Sequence, residues 1–328
     1  MKAAYYERVG LAAEVLQLAD LPDPVPAPGE VRVRLQWSGV NPSDVKTRGG
    51  VRSKVLAFPR IIPHSDGAGV IDAVGDGVDK SRIGERVWVW NAAWGRPFGT
   101  AAQYTCLPSR QAVLLPDGVS GEAGACFGIP ALTALHAVLT QGGIAGQTVV
   151  VAGGAGAVGH YAVQAASRLG AACVIATVSG DEKAVLARAA GADVVLNYRT
   201  EPVAERVMAL THGRGADRVV EVDLAANGVL NASMLRPGGL CVAYGSGPQP
   251  LALPFPAYLA KNIAVQFFMV YHLEVADRER AERVLERMLL RGELTHNVTR
   301  RLPLAKIAEA HAIVEQGTAG GNVVLDVA

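Results

Sequence analysis

The chain is poor in the residue types that define several protein classes. Its four cysteines, Cys106, Cys126, Cys173 and Cys241, lie far apart and form no CxxC pair. That spacing excludes a disulfide framework and a cysteine-rich zinc lobe, and leaves buried free thiols. The seven histidines show no HExxH or comparable ligand spacing, so no metal is expected. Charge of neither sign is in excess: 31 basic and 30 acidic residues give a net charge of +1. A broad positive field for a phosphate backbone is therefore absent, and no nucleic-acid partner is expected. Long apolar runs are missing too. The opening MKAAYYERVG is broken by polar residues before a signal peptide's hydrophobic region could form. The least polar stretch, 148–166, is interrupted by glycines and His160 and reads as a buried strand and turn, not a membrane span. A cytosolic protein is expected.

What is present fits two globular domains: 328 residues, 50% hydrophobic and 19% charged. The first 120 residues are strand-rich, with alternation over 30–36 and 86–90, a small apolar run over 67–74, and a Pro-rich surface loop over 22–30. From Gln147 the pattern changes to strand-length apolar runs separated by helical spacing, which predicts βαβ units and a parallel sheet. Strands are expected over 148–152, 173–178, 194–196, 218–222 and 240–244. A sixth, from Ile263 to Phe268, would form an apolar sheet edge through which a homodimer could pair. Ser179 and Glu182 have the spacing of a capping box that opens a helix closed by Gly191. The last segment, with helices after Asp277 and over 304–315 and strands near Val298 and over 322–327, is expected to return to the first domain.

The strand TVVVAG leads into GAGAVG, a GxGxxG motif at the start of a helix inside a βαβ unit. That context is what the motif needs to bind a dinucleotide; a tight turn without a ligand is the competing reading. Gly154 would permit the turn, Gly156 let a pyrophosphate approach, and Gly159 let helix and strand pack. Gly153, Ala155, Ala157 and Val158 complete the cradle, where free amides meet the positive end of the helix dipole. NAD sites usually carry Asp or Glu at the end of the next strand; here 176–180 reads ATVSG. With Ser179 there, Lys183 beyond it, and Tyr198 and Arg199 after the third strand, NADPH is the expected cofactor. Asp181 is the dissenting residue, since a longer strand would bring it to the ribose.

GVNPSDVKTRGG, PHSDGAGVIDAVG, GIPALTALHA, VVVAGGAGAVGHYAVQAASRLGA, LRPGGLCVAYG and AHAIVEQG, spread over most of the chain, resemble the zinc-independent quinone oxidoreductases, the zeta-crystallin-like branch of the medium-chain dehydrogenases. The resemblance implies an α/β protein in which a Rossmann NADP-binding domain over 121–265 interrupts a strand-rich, GroES-like substrate domain over 1–120 and 266–328. The zinc-dependent relatives hold metal with Cys and His where this chain has Asn41 and Ser65, and both are poor zinc ligands. By matching positions, Asn41, Asp44 and Thr133 would serve catalysis. Gly245 and Ser246, in the loop after the fifth strand, and Asn322 would adjoin the cofactor. Asn41 could donate to a carbonyl oxygen as charge develops, with Asp44 orienting neighbours; a turn residue and a helix cap are the structural alternatives. Many relatives have Tyr where this chain has Lys46, which leaves the proton donor open. Tyr5, Tyr271 and Trp94, with Trp88 and Trp90, could line an apolar substrate pocket; aromatic packing of a small domain is the equal alternative. The expected activity is NADPH-dependent reduction of a quinone or similar conjugated carbonyl compound without a metal. An enone or 2-alkenal reductase is the alternative, and a non-catalytic NADPH-binding structural or RNA-binding protein is the reading from a different class.

Overall fold

Alternation in 30–36 and 86–90 predicts strands with one buried face; both strands form, but Val87, Trp88 and Val89 are buried on both faces of the second. The computed structural model describes residues 1–247 and 250–328. Among these, Glu30–Val40 is the backbone of a seven-stranded sheet. Asp66–Val74 pairs antiparallel along one side of it. On the other side Tyr104–Pro108 covers its first half and Asn322–Asp326 its second. Arg86–Val89 and Ala112–Leu114 extend the sheet one way and Val298–Pro303 the other. Val31, Val33, Leu35, Ile71, Val87, Val89, Val323 and Leu325 point from these strands into one core. The C-terminal strands thus join the N-terminal sheet, as expected.

Two compact units result: Met1–Ile129 with His296–Ala328, and Pro130–Thr295. The expected boundaries put 121–129 with the second unit and 266–295 with the first; the structure places each of these segments in the other unit. The helix of the latter segment, Val275–Leu290, buries Ala281, Val284, Leu285 and Met288 and packs on the helix Leu132–Leu139. At its far end Gln164 exchanges hydrogen bonds with Thr295, accepting from the backbone N–H at 2.8 Å and donating to the carbonyl at 3.0 Å. The amphipathic stripe was legible, but which surface it covers was not.

In the second unit the apolar runs become a six-stranded parallel sheet. Its order is Val194–Asn197, Cys173–Val178, Thr148–Val151, Ala216–Glu221, Leu235–Ala243 and Ala264–Phe267. All four residues of Thr148–Val151 are buried, as a sheet covered on both faces requires. Arg218 is buried within this sheet and meets carbonyls rather than a carboxylate: its two terminal nitrogens donate to Ala137, Val138, Thr140 and Gly143, while its Nε has no partner among the described residues. The helix Asp181–Ala189 closes with Gly191 at φ +105°, as expected, but its start differs. The N-cap is Gly180, with no side-chain cap. The expected capping box does not form, because the Ser179 hydroxyl accepts a hydrogen bond from Lys183 Nζ at 3.0 Å instead.

Candidate active site

The chain enters the second unit's sheet at Thr148–Val151, winds outwards to Val194–Asn197, then crosses to Ala216–Glu221 on the other side. The carboxyl ends of the first and fourth of these strands therefore flank a topological switch point, where open α/β sheets leave a crevice. The glycine turn lies there. Its left-handed residue is Gly153, at φ +68°, rather than Gly154. Gly154 is required by proximity, since a Cβ there would stand 2.6 Å from the Ala176 methyl of the neighbouring strand. A Cβ on Gly159 would stand 2.1 Å from the Gly153 carbonyl oxygen, so helix and turn can close only over a glycine. Gly156 is the N-cap of Ala157–Arg168 and carries no capping side chain. The first amides of that helix, at Ala157 and Val158, lack intrahelical acceptors by geometry and remain for a ligand.

The edge of the crevice holds the remaining expected cofactor residues. The strand Cys173–Val178 ends at Val178, and Asp181 falls in the first turn of the next helix rather than at the strand end. Ser179 and Lys183 form the pair described above. Tyr198, half exposed, follows the third strand, and its backbone N–H donates to the Val178 carbonyl at 3.0 Å. After the fifth strand Gly245 runs against Val222: a Cβ would stand 2.2 Å from the Val222 carbonyl oxygen. The buried Ser246 hydroxyl has no hydrogen-bond partner among the described residues. An uncapped helix start, a cradle that a Cβ would fill and an unused hydroxyl suit a dinucleotide. Thr133 is buried in the first turn of Leu132–Leu139 in the same unit.

The first unit concentrates polar groups around Asn41, the N-cap of Pro42–Arg48. Its backbone N–H donates to Asp44 Oδ2 at 2.8 Å, and its side-chain amide donates to Asp66 Oδ2 at 2.9 Å. Asn41 and Asp44 thus form the helix cap that was the structural alternative, and the Asp66 carboxylate orients the Asn41 amide. Asp66 also accepts from the Ile129 N–H at 3.0 Å and is packed so closely that a Cβ on Gly128 would stand 2.3 Å from Oδ1. Burial pushes the Asp44 carboxyl up from 3.8 to about 7, against the opposing pull of the Asn41 N–H and Arg52. Behind this cluster, His64 Nδ1 lies 2.8 Å from Ser38 Oγ, and His64 Nε2 lies 2.9 Å from His311 Nε2. In the sequence His64 offers a possible lone metal ligand or, by preference, a packed or exposed histidine, and Asp66 and His311 carry no signal of a role. Their pairing, across 247 positions in the case of the histidines, has no local signal.

The remaining expected residues have other contacts. Tyr5 donates to Gln17 Oε1 at 3.2 Å and lies under the Arg60 guanidinium, 4.6 Å from its ring centre. Trp94 faces Arg52 at 6.0 Å. Tyr271 is buried in the second unit, within the short turn Val270–His272. Asn322 opens the last strand, where its amide donates to the Asn297 carbonyl at 3.2 Å, a contact that ties strand ends together. Among the described residues, no group of three or more His, Cys, Asp or Glu side chains is placed to hold a metal ion.

A doubly wound nucleotide unit interrupting a strand-rich sheet defines the two-domain dehydrogenase class. Comparison with known proteins agrees. The "Alcohol dehydrogenase GroES-like domain" model matches residues 27–117, and the "Zinc-binding dehydrogenase" model matches residues 157–289. A quinone oxidoreductase of Pseudomonas aeruginosa is 30% identical over 318 residues, 95% of this chain and 96% of that protein. A solved NAD-dependent alcohol dehydrogenase superimposes with a TM-score of 0.91 at 32% identity, covering 100% of both chains. A mycobacterial structure complexed with NADPH gives 0.88 at 30%, covering 99% of both. The chain belongs to the medium-chain dehydrogenase/reductase family, in its quinone oxidoreductase branch.

Proposed function

We propose that this chain is an NADPH-dependent oxidoreductase that reduces quinones or related conjugated carbonyl compounds without a metal. The observation that carries the reading is the crevice edge: the second strand ends without a carboxylate, and Lys183 is bonded to Ser179 beside it. Coulomb's law makes that edge favourable for a 2′-phosphate, where an acidic side chain would repel it. The similarity to an NAD-dependent alcohol dehydrogenase points the other way on the cofactor; the side chains at the edge decide for NADPH.

The amides of Ala157 and Val158 would take the pyrophosphate, Ser179, Lys183 and Tyr198 the adenosine ribose and its phosphate, and Gly245 and Ser246 the nicotinamide half. When bound, the cofactor supplies a hydride. The chain supplies position and polarisation: the Asn41 amide, held by Asp66, donates to the substrate oxygen as charge develops there, while Asp44 fixes the Asn41 backbone. Thr133 would lie at the nicotinamide end. Tyr5, Trp94 and Tyr271 retain only their aromatic character as support for a pocket role.

The reading includes a homodimer and a cytosolic location. Ala264–Phe267 is an edge strand of the six-stranded sheet, and Phe267 is 60% exposed on it, which supports pairing with a second copy. Four free cysteines suit a reducing compartment. No helix among the described residues is long and apolar enough to cross a membrane.

The test is NADPH oxidation by the purified protein across a panel of quinones and enones, with NADH beside it. Quinone turnover with NADPH preferred is expected. Saturation of an enone without quinone turnover would move the assignment to a C=C reductase, and no oxidation across the panel would leave a non-catalytic NADPH-binding role.

A further inference from the structure

We propose that His311 is a positioning residue, which sets the tautomer of His64 and, through one buried chain of hydrogen bonds, holds Asp66 and the Asn41 amide in place. The proposal rests on the reading that this amide serves the reacting oxygen.

The direction of every bond in the chain follows from its far end. The Asp66 backbone carbonyl can only accept, so the Thr100 hydroxyl, 2.5 Å away, spends its proton there. Ser38 Oγ, 2.8 Å from Thr100 Oγ1, must then be the donor to it. With that proton committed, Ser38 can only accept from His64, so Nδ1 of His64 carries the hydrogen at 2.8 Å. His64 is fully buried and driven neutral by burial and by the neighbouring His311. Its Nε2 is therefore a bare acceptor, and the proton in the 2.9 Å contact belongs to His311 Nε2. His311 is left with an unprotonated Nδ1, which is buried without a partner among the described residues; a hydrogen there would be an orphan donor.

Donation thus runs one way, from the C-terminal helix Ile307–Glu315 to the carbonyl of Asp66, whose carboxylate grips the Asn41 amide and the Ile129 N–H. His64 holds a left-handed backbone, φ +76°, to join it. A non-glycine residue in that region is strained, and such strain persists where surrounding contacts enforce it. Because all these groups are buried, reversing or removing one link leaves a polar atom unmatched rather than rehydrated. Relief comes by moving the loop that carries His64, Ser65 and Asp66.

Two measurements test the proposal. In wild-type protein, long-range proton–nitrogen NMR of labelled histidines is expected to show His64 as the Nδ1–H tautomer and His311 as the Nε2–H tautomer. His64 as Nε2–H would overturn it. In steady-state kinetics with NADPH and a quinone, His311→Leu is expected to lower kcat about tenfold with NADPH affinity unchanged, and His311→Gln, whose amide N–H reaches the same acceptor, to recover to within about threefold of wild type. Equal kcat in the Leu variant and wild type, or a Gln variant as impaired as the Leu one, would also overturn it. If the Leu variant does not fold, the Gln variant and the wild-type tautomers decide. If the wild-type enzyme reduces no quinone, the assigned activity falls, while the tautomers still settle the chain of bonds.

Discussion

Replacing Asp44 with Asn should stabilise the protein by an amount that grows as pH rises from about 4 to about 7. Burial raises this carboxyl from 3.8 to about 7, so between those values the native state holds a proton that the unfolded chain releases. Asp44 therefore contributes stability that is fully present below about pH 4 and is lost as pH rises through 7. At about 1.4 kcal/mol for each tenfold, the gap of roughly three pH units amounts to about 4 kcal/mol at pH 8, an upper figure because proteins relax around buried charge. Asn is neutral at every pH, and its carbonyl oxygen can still accept the Asn41 N–H that Asp44 Oδ2 accepts now. Urea denaturation of both proteins at pH 5, 6, 7 and 8 is the assay. The variant should already be ahead by roughly 1–2 kcal/mol at pH 5, gain about 1.4 kcal/mol per pH unit up to pH 7 and level off by pH 8. A gap that does not change with pH would refute the reasoning, since only the ionisation of Asp44 distinguishes the two chains.

Lys183→Ala should weaken NADPH binding about tenfold, a loss of about 1.4 kcal/mol from one charge-assisted contact, and leave NADH binding within about twofold, by titration calorimetry. Gly159→Ala should cost about 1–3 kcal/mol by thermal denaturation and abolish tight cofactor binding, because its methyl would meet the Gly153 carbonyl oxygen at 2.1 Å. His311 is held down to about 3 by burial, with Arg48 adding to the effect, so the unfolded chain takes up a proton below about pH 6.5 that the native state refuses. Stability should fall with pH from there towards 3, and His311→Leu should remove about 1.4 kcal/mol per pH unit of that slope, leaving the contributions of His64, His136 and His160, which are also lowered.

The elements at fixed short spacing were readable from residue order alone. Strand, glycine turn and helix over Thr148–Val151 and Ala157–Arg168 lie within about twenty residues, so local propensity, periodicity and close packing act together there. Gly159 could be assigned a packing role because its neighbour in space is also its neighbour in sequence. The left-handed position was misplaced by one residue, since Gly153 and Gly154 are equally permissive in isolation. The Ser179 capping box failed for a related reason: a hydroxyl has several partners within reach, and Lys183 won. Where the stripe of Val275–Leu290 docks, why Asn41 is clamped by Asp66, and why His64 faces His311 depend on contacts between residues 25 to 247 positions apart. Sequence by itself therefore determined which segments could be strand, helix and phosphate-binding turn, because those follow from periods of two and 3.6 and from missing Cβ atoms. Only the tertiary structure decided which buried polar groups share a proton, since a hydrogen bond depends on separations of about 3 Å that chain order does not encode.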